Sequence, residues 1–594
     1  MAKKYIDVMD TTFRDGFQSV FGGRVLMGDF FPAVEAAKEA GIKHFEFGGG
    51  ARFQTLYFYL QENAFDMMDR FREIVGPEAN LQVLSRGINT VMLDTGSRET
   101  IDLFAKMFKK HGTTTVRNFD ALNDVNNLVY SGECIKRHNL KHEVVVTMMD
   151  LPPGCQGAHD VAFYKKTLTN ILDSGLEFDS VCFKDASGTS NPHKVFETIQ
   201  MARKLLGKDA HLRLHTHETA GVSVAAYLAA LEAGADGIDM AAAPVSGGTS
   251  QPDILTMLHA TKGTDYDLGG LELPKILKYE EKLQSCLSDY MIPPEATQVS
   301  PLIPFSPMPG GALTANTQMM RDSGNLDKFD EVILAMKEVV ERGGYGTSVT
   351  PVSQFYWQQA YANVMFGPWK QIAPGYGRMV LGYFGKTPVA PDPEISALAQ
   401  KKLKLEPTTE NPLDISDRDE NKSIAHWKKV LEDEGLETTE ENIFIGASCD
   451  KKGIAFLKGE GPLMVRKKSE EENNSGEVDM AGNYTVMVDG KKFSVQVAEG
   501  NADIQVSESA AAPAPVASTA GGKGSVEIHS QTPGTVWKIL FNAGDSVKEG
   551  DKIMILEAMK MEIDITAPQD GVVKSIDIGV NDAVTDGQLL ATME

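Results

Sequence analysis

Little in this sequence invites cross-linking, secretion or membrane insertion. Of its 594 residues only five are cysteine (Cys134, Cys155, Cys182, Cys286 and Cys449), and no two stand in a CxxC pair. So sparse a set reads as reduced thiols, not as a disulfide framework or a zinc cluster. No apolar run reaches the ~18 residues a membrane helix needs. Tyr5 already belongs to an apparent strand, with no apolar signal core before it, so a cytoplasmic protein is expected. Positive charge is short as well. The net charge of −24 opposes nucleic acid and anionic membrane surfaces, although a few local arginines can still hold a small anion. The sequence also lacks a GxGxxG turn, an ATP-grasp-like Gly-rich loop and a Walker loop.

What is present is enough ordinary globular chain for three to four domains, 42% hydrophobic and 24% charged. Eight short apolar runs, at 5–9, 43–47, 81–84, 114–118, 143–147, 180–183, 211–214 and 236–239, alternate with helical stretches. That count fits a (β/α)8 barrel. An open doubly wound sheet is the rival, but Gly48-Gly49-Gly50 lacks its phosphate-turn spacing. We take residues 1–280 as the barrel and 281–405 as a helical extension completing the active site. In the extension, Phe329, Val332, Ile333, Met336, Val339 and Val340 share one helical face ended by Gly343-Gly344. Residues 406–506 form a charged helical and β-hairpin assembly region. Within it, 467–474 is a solvated charge run and 484–497 a hairpin turning at Asp489-Gly490.

Residues 507–524, rich in Ala, Pro, Ser and Gly, cannot bury a core and read as a tether. As a coil it spans roughly 23 Å, or roughly 56 Å as extended polyproline II. Residues 525–594 repeat internally with an offset of 37: Val536 with Val573, Asp545 with Asp582, Val547 with Val584, Gly550 with Gly587. Two such halves imply a small flattened β-barrel with Lys560 on the protruding turn between them. The run Ala558-Met559-Lys560-Met561 resembles the signature of biotinyl carrier domains. The resemblance implies biotin covalently attached to Lys560 by a biotin protein ligase. A lipoyl domain shares the fold, but its lysine usually follows Asp and lacks the paired methionines.

In the barrel, His215-Thr216-His217 follows the seventh strand, and alternation along a strand turns both imidazoles the same way, toward the mouth. Asp15, after the first strand, and Lys184, at the end of the sixth, lie on the same catalytic face. The ordered segments DTTFRDGFQS (10–19), GGARF (49–53), SRGIN (85–89), FDALND (119–124), FKDASG (183–188), HTHETAG (215–221), SGGTSQP (246–252), MPGGALT (308–314) and FGKTP (384–388) carry a second resemblance. They are similar to carboxyltransferase segments of pyruvate carboxylase, the oxaloacetate decarboxylase alpha subunit and the transcarboxylase 5S subunit. That implies a divalent metal (Zn, Mn or Co) bound by Asp15, His215, His217 and a carboxylated Lys184; the alternative for Lys184 is a salt bridge, with Asp185 as one partner. It also implies Arg86 on the carboxylate of a 2-oxo acid, Arg14 and Gln18 near its oxo oxygen, and Thr314 relaying a proton between biotin N1 and the substrate methyl. The chain departs from the family at Phe17, Gly48, Gln54, Asn118 and Ala315, several of them expected to flank the substrate pocket.

The function so implied is movement of a carboxyl group between carboxybiotin and a 2-oxo acid, most simply pyruvate and oxaloacetate. With no ATP site, the chain needs a partner. A separate biotin carboxylase would make it half of a two-subunit pyruvate carboxylase; membrane subunits would make it the alpha subunit of a sodium-pumping oxaloacetate decarboxylase. Arg14-Asp15 with the paired histidines also resembles biotin-independent condensing or aldolase barrels. A homo-oligomer is expected.

Overall fold

The computed structural model describes residues 3–468, 482–488, 491–497, 526–530, 534–558, 561–580, 582–585 and 587–594. Lys560 with Met559, the tether 507–524, the turn 489–490 and most of the charge run 467–474 lie outside the described residues.

Eight parallel strands close into a barrel: β1 (Lys4–Asp10), β2 (His44–Gly49), β3 (Asn80–Ser85), β4 (Thr115–Asn118), β5 (Lys141–Thr147), β6 (Ser180–Asp185), β7 (His211–Thr216) and β8 (Gly237–Met240). Each pairs with the next, and β1 closes the ring by pairing with both β8 and β2. A short ninth strand, β9 (Tyr266–Leu268), adds parallel to the start of β1. All eight runs read from the sequence are strands, because a barrel strand is covered on both faces and so stays apolar on its outer side. The inner side departs from the usual aliphatic layers. Arg117 of β4 bonds Glu143 of β5 (2.6 Å) and Asp239 of β8 (2.5 Å), and Arg213 of β7 bonds Asp239 (2.8 Å) and Asp7 of β1. In this network two arginines meet three carboxylates, so every charge has an opposite partner, which is how charge survives in a barrel core.

The helix Leu273–Cys286 runs without a break through position 280 and packs its Ile276, Tyr279 and Leu283 into the barrel core. The extension helices Gly310–Asp322, Phe329–Arg342 and Val352–Phe366 build a second core, with Val332, Ile333, Met336, Val339 and Val340 all buried as their spacing predicts. The charge-rich stretch after residue 405 folds back onto the barrel. Phe444, in the helix Glu440–Leu457, packs among Phe53, Phe65, Phe104 and Phe108 at ring distances of 5.7–6.2 Å. Farther on, β10 (Gly482–Val488) and β11 (Lys491–Val497) pair antiparallel, as the hairpin pattern requires.

The C-terminal unit contains β12 (Val526–His529), β13 (Gly534–Ile539), β14 (Ser546–Val547), β15 (Lys552–Ala558), β16 (Met561–Thr566), β17 (Gly571–Ile576), β18 (Ala583–Val584) and β19 (Leu589–Met593). Its two sheets have orders β12-β19-β17-β14 and β16-β15-β13-β18. Shifting one sheet by the 37-residue repeat superposes it on the other in connectivity. The repeat reaches individual bonds: Asp545 and Asp582 each accept a backbone N–H three residues upstream, at 2.7 Å in both halves. Gly550 and Gly587 hold equivalent turns at φ +86° and +73°, conformations that side chains resist. Among the described residues no helix is long and apolar enough to cross a membrane.

Candidate active site

β1 ends at Asp10, whose Oδ1 accepts from the Thr12 N–H (2.9 Å) and hydroxyl (2.5 Å) and whose Oδ2 accepts from the Tyr279 hydroxyl (2.8 Å). The tight turn Thr12–Gly16 that follows places Arg14 and Asp15, both buried, over the barrel's C-terminal end. The Asp15 Oδ2 lies 3.3 Å from His215 Nε2 and 3.4 Å from His217 Nε2. Lys184 Nζ lies 2.7 Å from His215 Nε2 and 3.8 Å from Asp15 Oδ2. All four proposed ligands are therefore together. The alternative pairing of Lys184 with Asp185 does not occur, because Asp185 instead accepts from the backbone of Ser187, Gly188 and Ser190.

Hydrogen-bond partners fix the imidazole tautomers. His215 Nδ1 donates to Asp239 Oδ2 (2.8 Å) and His217 Nδ1 donates to the Thr249 carbonyl (2.7 Å). Each Nε2 thus carries its lone pair, with Lys184 Nζ 2.7 Å from that of His215 and the Gln251 amide 3.0 Å from that of His217. Two lone pairs and a carboxylate oxygen, all within 4.8 Å of one another, form a cluster rich in acceptors that a cation satisfies. Burial alone would raise the Asp15 pKa, but Arg14, His217 and Lys184 outweigh it and hold the carboxyl well below its ordinary range. Burial, with Arg14 and Arg117 nearby, lowers the Lys184 pKa against the pull of Asp15. A buried amine with a lowered pKa is the form that can add CO2 and become an anionic oxygen ligand. The residues present therefore fit a divalent metal held by mixed N and O donors.

Above this cluster opens a cavity of about 1180 Å³ lined by Gln18, Arg86 and Thr314, with Gln54 and Ala315 beside them. Asp15, Lys184, His215, His217 and Arg14 are not on its lining; they lie beneath it. Two links join the layers. The layers come together at Gly50, where an added Cβ would sit 3.3 Å from Gln18 Oε1 and 3.5 Å from Arg14 Nη1. Thr249 is the other link, accepting from His217 through its carbonyl and from the Thr314 hydroxyl (3.3 Å) through its Oγ1. The Thr249 proton itself goes to the Ser19 carbonyl at 2.9 Å, which leaves Thr314 as the donor in that pair.

Arg14 is spoken for: its Nη2 bonds Glu46 (2.6 Å) and Asp15 (3.0 Å). Arg86 is not. Its guanidinium is buried, bonds the Val91 and Met92 carbonyls at 2.6 and 3.1 Å, and leaves Nε without a partner. Burial without a counter-charge, reinforced by repulsion from Arg14, pulls its pKa down to about 9. Such a group, aimed at a cavity, calls for an anion.

Of the five departures, Gln54 and Ala315 line the cavity, but Phe17, Gly48 and Asn118 do not. Phe17 packs against Phe13 and Phe30, Gly48 faces Val83 and Met68, and Asn118 donates to Ser131. The expectation that several flank the pocket is corrected to two. Sequence reasoning missed Asp239 and Gln251, whose Nε2 donates to Asp15 (3.1 Å) and reaches His217 Nε2 (3.0 Å). Asp239 did leave a signal, a lone carboxylate alternating with apolar residues in β8.

Residues 303–505 match the model of the conserved carboxylase domain and 525–593 that of biotin-requiring enzymes. A pyruvate carboxylase subunit of Methanocaldococcus jannaschii is 30% identical over 94% of both chains. The chain belongs to this family of biotin-dependent carboxyltransferases. The methylmalonyl-CoA carboxyltransferase 5S subunit of Propionibacterium freudenreichii subsp. shermanii is 28% identical over 83% of this chain and 97% of its own. The carboxyl transferase domain from Rhizobium etli pyruvate carboxylase, solved with pyruvate, aligns at a TM-score of 0.70 over 77% of this chain and 78% of its own. At 24% identity that likeness bears on the fold alone. The carboxyltransferase thus carries its barrel and its biotinyl domain on one chain.

Proposed function

We propose that the chain moves a carboxyl group between N1 of biotin on Lys560 and C3 of a 2-oxo acid, pyruvate and oxaloacetate foremost, as half of a two-subunit pyruvate carboxylase. The observation that carries this reading is Arg86, an unbalanced buried guanidinium on the cavity that also holds Gln18 and Thr314. Arg86 grips the substrate carboxylate in the planar manner its fork allows. Gln18, with Arg14 beneath, faces the oxo oxygen, where charge develops as the C3 proton leaves. Thr314 holds the travelling proton on Oγ1, donating and accepting at one atom. A metal held by Asp15, His215, His217 and carboxylated Lys184, drawn from Zn, Mn or Co, supplies Lewis acidity at the carbonyl. Residues 1–280 bind and convert substrate, 281–405 close the site, 406–506 with the β10–β11 hairpin support a homo-oligomer, and 525–594 carry the biotin on the tether 507–524. A separate biotin carboxylase reloads the arm and a biotin protein ligase modifies it, in the cytoplasm.

Intact-mass measurement of the full chain, followed by incubation with a panel of 2-oxo acids, tests this. We expect one biotin-sized adduct on Lys560 and carboxyl exchange with pyruvate and oxaloacetate. An unmodified chain, or exchange confined to other acids, overturns it.

A further inference from the structure

The cavity lining carries three further cations, Arg24, Lys452 and Arg466, with Asp322 and Asp450 beside them. The Arg24 guanidinium lies 4.1 Å from the centre of the Tyr59 ring, and Lys452 Nζ lies 5.5 Å from the same ring and 5.1 Å from that of Phe58. Neither forms an ion pair among the described residues, whereas their neighbour Arg466 meets Asp322 at 2.7 Å. Burial, with Arg466 nearby, lowers the Arg24 pKa against the opposing pull of Tyr59 and Asp322. Lys452 reaches the rim because the helix Glu440–Leu457 breaks at Asp450, at φ +51° and ψ −143°. An aspartate rarely adopts that conformation, and strain of this kind persists where surrounding contacts enforce it. Gln54 supplies one such contact, donating to the Ser448 carbonyl at 2.6 Å.

The same cavity is also lined by Gly534, Thr535 and Glu557 of the biotinyl domain. That domain holds twelve acidic and five basic residues between 525 and 594. Glu557 lies in β15, three residues before Lys560 in the sequence, and its backbone pairs with position 562 of β16.

We propose that Arg24, Lys452 and Arg466 form a docking rim for the acidic edge of the biotinyl domain, Glu557 foremost. Docking of the arm is thereby steered by charge, which speeds arrival and still permits release to a second station. The proposal rests on the reading that barrel and arm exchange a carboxyl group.

The test uses the full chain. Zero-length carbodiimide coupling should join Lys452 to Glu557 or another acid of 525–594, within a chain or between copies, at a yield like that of the exposed pair Lys106–Glu440. Arg24→Gln/Lys452→Gln/Arg466→Gln should slow oxaloacetate-driven carboxylation of the tethered biotin about tenfold and remove most of its salt dependence. In a Lys560→Arg background, decarboxylation with free biotin should change less than about twofold, which also shows that the variant folds. Absence of the cross-link while Lys106–Glu440 couples overturns the proposal. So does an equal loss with free biotin, which would place the rim in substrate binding, such as a second carboxylate. If the parent chain carboxylates its biotin from no 2-oxo acid, the carboxyl exchange between barrel and arm fails instead.

Discussion

Arg86 concentrates the energetics of the site in one side chain. A buried guanidinium with no counter-charge costs the folded chain stability until an anion arrives. Removing the charge should therefore help the fold and harm the function. Arg86→Gln, which keeps a donor for the Val91 or Met92 carbonyl, should melt at or above the parent temperature. Its KM for the 2-oxo acid should rise by at least about tenfold, the worth of a charged hydrogen bond. Calorimetry and steady-state kinetics read the two quantities separately; a variant that melts markedly lower would show that Arg86 is a structural clamp for residues 87–92. Asp15, Lys184, His215 and His217 could be brought together from sequence because each stands at or just past the C-terminal end of a strand that sequence alone delimits, whereas Arg86 came only from the family resemblance. Asp239, Thr249 and Gln251 were not legible. Their contribution lies in which nitrogen of an imidazole they engage, and no one-dimensional spacing encodes that.

Among elements, the helix Gly310–Asp322 joins the cavity to the cluster beneath it, and its first residue shows how closely. A Cβ at Gly310 would fall 1.6 Å from the Thr249 carbonyl oxygen and 3.0 Å from His217 Nδ1. Gly310→Ala must push away either the helix or the 249 loop. We expect a stability loss of about 1–3 kcal/mol from overpacking. Metal affinity should fall about 10–100-fold as His217 loses its orienting acceptor, measured by chelator competition. Gly311→Ala meets at 3.3 Å only the flexible end of Gln18, so it should leave metal affinity near the parent value. Metal affinity unchanged in Gly310→Ala would mean that the helix and the cluster are independent. This contact was out of reach of periodicity, which finds the helix but not the carbonyl under its first turn. The helix Glu440–Leu457 was hidden differently: its charged neighbours masked Ile443, Phe444 and Ile445, which are buried against the barrel.

At the scale of the whole molecule, one barrel serves a domain that must also visit another protein. The barrel and the two-fold carrier were legible because each repeats itself, eight strand–helix units in one and a 37-residue offset in the other. In the proposed function the stretch 507–524 tethers one to the other, so its length would set how often the arm reaches the mouth. For a flexible tether, effective concentration falls roughly as the −3/2 power of length, so inserting a second copy of the stretch should slow sub-saturating transfer between barrel and tethered biotin about threefold. Free-biotin turnover in the Lys560→Arg background should not change, because no tether takes part. The charged rim makes a sharper version possible. Docking that is already saturated at low salt is insensitive to tether length, and screening it returns the system to the diffusive regime. The threefold effect should therefore grow from low to high ionic strength in single-turnover measurements on the parent and long-tether chains. An effect equal at both ionic strengths would show that tether and rim act independently, and that the arm finds the barrel by reach alone.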